Sequence, residues 1–182
     1  VTILGNSPKS NQDFEGFTFM YDEVQRTPGV ALSHTKFGKE SRLWTVKISQ
    51  DSSTVILGSS NARKMKDLPS GFQADSYSGG GIEDLKWLLP TIDSEVEHQA
   101  DNLVIALGMN NRKWHFARIN QALEEANTAI LKAGFKKIIW VPVAIPRTIT
   151  KQEQSTLEYI NSSIKQFIPS AKIARNVNQQ NI

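Results

Sequence analysis

From residue 54 onward, short apolar runs alternate with stretches in which apolar residues recur every three or four positions. Thr54–Leu57, Phe72–Tyr77, Leu103–Leu107 and Lys137–Val141 are brief, rich in β-branched or aromatic residues, and bounded by Gly, Pro, Ser or Asn. Such runs predict strands buried on both faces, as in a parallel sheet. Between them, Phe116, Ile119, Leu123, Ala126 and Ile130 recur at helical spacing, and Gly134 supplies a helix stop. Leu157, Ile160, Ile164 and Phe167 repeat the pattern after Thr150-Lys-Gln-Glu153, which reads as a capping box. A shorter helix is expected near Asn61–Lys66, and another over Ile82, Leu85, Leu88 and Leu89, broken at Pro90. Lys172–Ala174 is a candidate fifth strand. Strands alternating with helices imply right-handed βαβ units and a parallel sheet. The expected fold is therefore α/β, a three-layer flavodoxin-like parallel sheet over residues 51–182.

Residues 1–50 carry a weaker pattern and are read as a lead-in segment or extra layer rather than an independent domain. Val1–Leu4 is a possible short strand, Phe14, Phe17, Phe19 and Tyr21 alternate in part, and Thr27-Pro28-Gly29 is a turn. His34 to Arg42 is polar and basic, and alternation resumes over Leu43–Ile48. Gln50–Ser53 is the most linker-like boundary. Trp87 and Trp140 read as core or helix-packing residues.

Composition narrows the function classes. The 182 residues are enough for one domain with a sizeable core, and the absence of cysteine excludes disulfides, thiol catalysis and thiolate metal sites. That composition suits a cytoplasmic protein. The three histidines, His34, His98 and His115, show no metal-ligand spacing, so neither a metal nor a cofactor is expected. No apolar run reaches the length of a membrane span. The net charge of +3 and pI of about 9.1 are mildly basic, so the placement of the cations matters more than their number.

Three strand ends carry residues suited to acyl chemistry: Gly58-Ser59-Ser60, Ser78-Gly79-Gly80 and Gly108-Met109-Asn110. In a parallel sheet all three meet at the carboxyl edge, where ligands bind. Ser60 is placed to attack a carbonyl. The backbone N–H groups of Ser60 and Gly79 and the side-chain amide of Asn110 are placed to hold the resulting oxyanion.

This set, in this order, resembles the SGNH/GDSL hydrolase superfamily over residues 54 to about 175. The family's Gly-Asp-Ser corresponds to Gly58-Ser59-Ser60, its second-block glycine to Gly79, and its Gly-x-Asn-Asp to Gly108-Met109-Asn110-Asn111. Ile56–Arg63 also resembles the compact esterase-like domains of some retroelement polyproteins, where a basic, tryptophan-containing segment precedes the block, as His34–Ile48 does here. The resemblance implies a serine esterase acting on a small ester or acylated substrate, with catalytic residues Ser60, Gly79 and Asn110. Two departures stand out. Ser59 replaces the aspartate, which in the family supports the turn. The Asp-x-x-His block, which supplies the general base far past the nucleophile, is not found; no histidine follows His115. The domain is therefore read as truncated at the carboxyl end or as lacking that block. His115, five residues past Asn110, is the stand-in. His98 precedes strand three and is assigned to the opposite edge, and His34 is left unassigned.

Cations cluster after the same strand ends: Arg63 and Lys64, Arg112 and Lys113, Arg147 and Lys151. Such a rim favours an anionic ligand, with Trp114 available to stack on a sugar or base. The alternative function is accordingly a non-catalytic module on the same fold that binds RNA or another polyanion. A nucleotide binder using Gly79–Gly81 is a third reading, although no Walker or dinucleotide pattern surrounds those glycines.

Overall fold

The computed structural model of the chain describes residues 26–92 and 100–175. Six strands form one all-parallel sheet: β1 (Leu32–His34), β2 (Thr54–Gly58), β3 (Phe72–Tyr77), β4 (Asn102–Ala106), β5 (Lys137–Trp140) and β6 (Ala171–Ile173), in the order β1-β3-β2-β4-β5-β6. This is the flavodoxin-like three-layer α/β architecture expected above. The predicted strands from residue 54 onward are all present, each within about a residue of its expected ends. Val1–Leu4, the aromatic stretch at 14–21, and His98 lie outside the described residues.

Alternation along the strands divides the sheet into two faces. Val55 and Leu57, Leu103 and Ile105, and Ile138 and Trp140 occupy matched positions and point into the main core. That core is closed by α1 (Leu85–Leu88), α2 (Phe116–Ala133) and α3 (Lys151–Phe167). The buried stripe of α2 is Ile119, Ala122, Leu123, Ala126, Ala129 and Ile130, which contains the predicted face, and Gly134 ends the helix in a left-handed conformation. Fully burying one such leucine or isoleucine contributes about 1.5–3 kcal/mol, so these faces outweigh any propensity term. On the opposite face Ala31, Ile56 and Ala74 lie under Met65 and Leu68. The third layer is thus thin: the 3₁₀ turn Ser60–Lys64 and the loop after it replace the predicted Asn61–Lys66 helix.

Two readings of the amino-terminal part change. Leu32–His34 is an edge strand paired to Asp75–Tyr77, within a stretch expected to be irregular. Leu43–Ile48 alternates as expected, with Trp44 and Val46 buried, yet it forms no strand. Side chains bond its backbone instead. Thr91 Oγ1 accepts from Val46 N at 2.8 Å, Gln73 Nε2 donates to Lys47 O at 3.0 Å, and Tyr77 Oη donates to Thr45 O at 2.9 Å. Trp140 is fully buried, but Trp87 is 41% exposed and lies between the Arg42 and Lys86 cations, so it is not a core residue.

Candidate active site

The strand order reverses direction around β2, with β3 on one side and β4 on the other. That is the topological switch point, the place outside the carboxyl ends where ligands of open α/β sheets bind. The registers Gly58↔Ser76 and Gly58↔Ala106 put the three ends at one level. Ser60, Gly79 and Asn110 each follow within four residues of that level.

Side-chain hydrogen bonds stitch the loops together. Ser76 Oγ donates to Ser59 O at 2.9 Å, joining the ends of β3 and β2. Asn110 Nδ2 donates to Gly80 O at 2.8 Å, joining the β4 loop to the residue next to Gly79. Asn111 is fully buried: its Oδ1 accepts from Ile82 N at 3.0 Å and its Nδ2 donates to Glu83 Oε1 at 2.9 Å. Asn111 is therefore a loop tie. Ser59 is buried at the start of the 3₁₀ turn, and its side chain makes no capping bond. The Ser76 hydroxyl holds that turn instead, a role the sequence reading did not give it.

Gly58 is required by packing, because a Cβ there would come within 2.7 Å of Ala62 Cβ. Gly79 is required by conformation, with φ +78°, and a Cβ on it would meet nothing within 4 Å. The space over Gly79 is open to an approaching molecule. Ser60 itself is half-buried.

His115 is exposed at the residue preceding α2, and it caps no helix N–H with its side chain. Among the described residues no carboxylate is bonded to its ring. His34 lies elsewhere: its Nε2 is 2.8 Å from Asp75 Oδ1, and its ring stacks on Tyr77 at 4.3 Å between centroids. Asp75 is the polar residue that sequence reasoning missed. It is fully buried, and also accepts from Arg26 Nη2 at 2.8 Å and Gln73 Nε2 at 2.9 Å. The available signal was the alternation Gln73, Asp75, Tyr77, which sets polar groups on the core face of a strand. Burial and the neighbouring Asp75 charge raise the Tyr77 phenol well above its ordinary range.

Of the basic rim, Arg63, Lys64, Lys113 and Arg147 are exposed. Arg112 is committed: its Nε pairs with Glu153 Oε2 at 3.2 Å and its Nη1 donates to Met109 O at 3.2 Å. Trp114 stacks on the Arg118 guanidinium, 3.6 Å from Cζ to the ring centroid. A cavity of about 350 Å³ opens between Arg112, Lys113, Thr150, Gln152, Glu153 and Thr156, beside the Asn110 loop. The Thr150–Glu153 capping box forms as expected, with Thr150 N donating to Glu153 Oε1 at 3.0 Å and Glu153 N to Thr150 Oγ1 at 3.1 Å.

The Thr150 backbone N–H, aided by the Lys113 and Arg112 charges, holds the Glu153 carboxyl below the usual carboxylate range. A depressed folded-state pKa stabilises the fold fully above the ordinary glutamate value of about 4.3 and loses that contribution as pH falls through the lower value. Glu153→Gln is therefore expected to be less stable than the parent at pH 7, with the gap closing toward pH 3. Urea melts at both pH values measure this; a gap that persists at pH 3 contradicts the assignment.

Among the described residues no helix is long and apolar enough to cross a membrane, and no cluster of three His, Asp or Glu stands ready for a metal ion. No family model matches the chain, and no curated protein sequence matches it. Among solved structures, the psychrotrophic esterase EstA from Pseudoalteromonas sp., inhibited by monoethylphosphonate, is similar at 14% identity and a TM-score of 0.47, covering 68% of this chain and 78% of that one.

Proposed function

We propose that the chain is a serine ester hydrolase of the SGNH type. The supporting observation is the Asn110 Nδ2 bond to Gly80 O, which holds an amide donor against the Gly79 loop at the edge where Ser60 follows β2. An asparagine amide has two N–H groups. One is spent on Gly80, and the other is left for an oxyanion.

In this reading Ser60 Oγ attacks the ester carbonyl as His115 takes its proton. The carbonyl oxygen becomes an oxyanion held by Ser60 N–H, Gly79 N–H and Asn110 Nδ2. The tetrahedral intermediate collapses, the C–O bond to the alcohol breaks, and the leaving oxygen takes the proton from the histidine. Water then hydrolyses the acyl-serine by the same steps. The cavity at Lys113 and Thr156 lies beside this edge and suits the distal part of a small acylated substrate.

The test is labelling by a fluorophosphonate probe with the modified peptide mapped, beside turnover of short p-nitrophenyl esters. Adduct at Ser60 with turnover supports the reading. Intact protein with neither overturns it. Full activity in His115→Ala moves the base to another group. One observation favours a non-catalytic module instead: no described carboxylate orients His115. That alternative predicts a silent Ser60 together with salt-sensitive binding of a polyanion.

A further inference from the structure

The cavity of about 350 Å³ beside the Asn110 loop has a chemistry that acyl transfer does not use. Its volume falls within the roughly 300–1,000 Å³ of small-molecule sites. Its walls come from two elements. Arg112 and Lys113 follow the loop, and Thr150, Gln152, Glu153 and Thr156 lie at the start of α3. Each of these side chains ends in a polar group, and the bonds already made leave both donors and acceptors unspent. Arg112 uses Nε on Glu153 and Nη1 on Met109 O, which leaves Nη2 to donate. Among the described residues Lys113 Nζ and the Gln152 side-chain amide make no hydrogen bond. The Thr150 hydroxyl accepts from Glu153 N and keeps its own proton. Each Glu153 carboxylate oxygen takes one bond, from Arg112 or from Thr150 N, and has a lone pair left. Thr156 Oγ1 has given its proton to Gln152 O and can only accept.

Mixed donors and acceptors on facing walls select the occupant. A hydroxyl group both donates and accepts, so a ring carrying hydroxyls all round matches such walls. An anion would meet the Glu153 carboxylate, which its neighbours keep ionised. An apolar ligand would bury the polar groups unpaired. A nucleobase carries its polar atoms in one plane and would leave one wall unmatched. A second observation points the same way. Gln152, Thr156 and Tyr159 recur at spacings of four and three, which sets Tyr159 one turn further along the same face of α3. Phe116, three residues after Lys113, stacks on Tyr159 with centroids 3.9 Å apart and planes within 3°. The Tyr159 hydroxyl donates to Asn120 Oδ1, which fixes the pair. Phe116 has one face on Tyr159 and 43% of its surface exposed. The C–H face of a pyranose is the apolar surface that packs on the electron-rich face of such a ring.

We propose that this cavity, with the Phe116–Tyr159 pair at its end, binds a neutral hexose. Arg112 Nη2, Lys113 and Thr150 donate to the sugar hydroxyls, Glu153 and Thr156 accept from them, Gln152 does both, and Phe116 meets the C–H face. The cavity is the one given above to the distal part of the ester, so the inference names that part as a sugar and in this respect rests on the hydrolase reading. Sugar binding itself needs neither Ser60 nor turnover.

The test is an amide-resolved NMR titration of the full chain with the methyl β-glycosides of glucose, galactose, mannose and N-acetylglucosamine, beside adenosine and inorganic phosphate. At least one glycoside is expected to bind with a millimolar Kd and to shift the amides of Phe116, Gln152 and Thr156. Phe116→Ala should weaken it about threefold to tenfold, the effect of one aromatic contact. Gln152→Ala should weaken it about threefold or more, the effect of a lost hydrogen bond. Both side chains are exposed, so the variants should fold, and circular dichroism checks that. Ser60→Ala should bind sugar like the parent, which separates the two readings: sugar bound without ester turnover or Ser60 labelling sinks the hydrolase reading and leaves the sugar site standing. The proposal is overturned if no glycoside binds, if the shifts lie away from these residues, or if either the Phe116 or the Gln152 variant binds like the parent. Tighter binding of adenosine makes this a base site, and displacement of the glycoside by phosphate makes it an anion site; each result overturns the proposal.

Discussion

Replacing Ser60 by alanine is expected to remove fluorophosphonate labelling and to lower ester turnover by a factor of about 10³ or more, with the fold unchanged. The size follows from the role proposed for it: deleting a nucleophile removes the covalent path and leaves only what binding and oxyanion donors supply. Asn110→Ala is expected to fall short of that, losing about 10²–10³ in kcat, the usual cost of one oxyanion donor. KM should move little, because in the proposed mechanism the amide acts on the developing charge rather than on the ground-state ester. Asn110 also donates to Gly80 O, so a purely structural role must be separated. Asn110→Asp does this: it keeps the size but loses the donor while ionised. If Asn110 is only a loop tie, both variants should shift the melting temperature and leave kcat per folded molecule intact. Steady-state kinetics beside thermal melts decides between the two.

The second large effect is on stability and lies at Asp75. This carboxylate is fully buried and accepts from Arg26 and Gln73, with the His34 ring 2.8 Å from its Oδ1. Burying a charge is costly unless it is paired and hydrogen-bonded, and removing one member of a buried set strands the others. Asp75→Ala is therefore expected to cost about 3 kcal/mol or more. For a chain of this size that is a fall of at least about 6 °C in Tm. The damage should reach beyond β3. Gln73 donates to both Asp75 and Lys47 O and accepts from Ser49 N at 2.9 Å, so the segment carrying Trp44 and Val46 hangs on the same network. Asp75→Asn keeps the shape and one acceptor and should lose less. Urea melts measure both, and a loss under about 1 kcal/mol for the alanine variant would mean that the network contributes little.

How much of this was legible beforehand depended on the range of the interaction. The strands from residue 54 onward, the stripe of α2 and the Thr150–Glu153 cap are local: each follows from periods of 2 or 3.6 and from residues within one or two turns. The chain therefore announced a parallel α/β sheet, and with it the shared carboxyl edge of Ser60, Gly79 and Asn110. The short helix expected near Asn61–Lys66 is instead a 3₁₀ turn over Ser60–Lys64, because a turn tight enough to bring Ala62 against Gly58 has no room for a full helix.

Everything decided at long range stayed hidden. His34 and Arg26 reach Asp75 across 41 and 49 residues of chain, and no periodicity encodes such a pairing. Leu43–Ile48 alternates like a strand, yet side chains of β3 satisfy its backbone, and only the tertiary arrangement chooses between ladder and side-chain partners. Trp87 reads as a core or helix-packing residue by its type, but the helix bearing it is one turn long and leaves the ring outside among cations. The sequence by itself determined the layers and the edge on which chemistry can occur, because hydrophobic burial acts through local periodicity. The tertiary structure alone decided which polar groups meet, because a buried charge must find its partners wherever in the chain they lie.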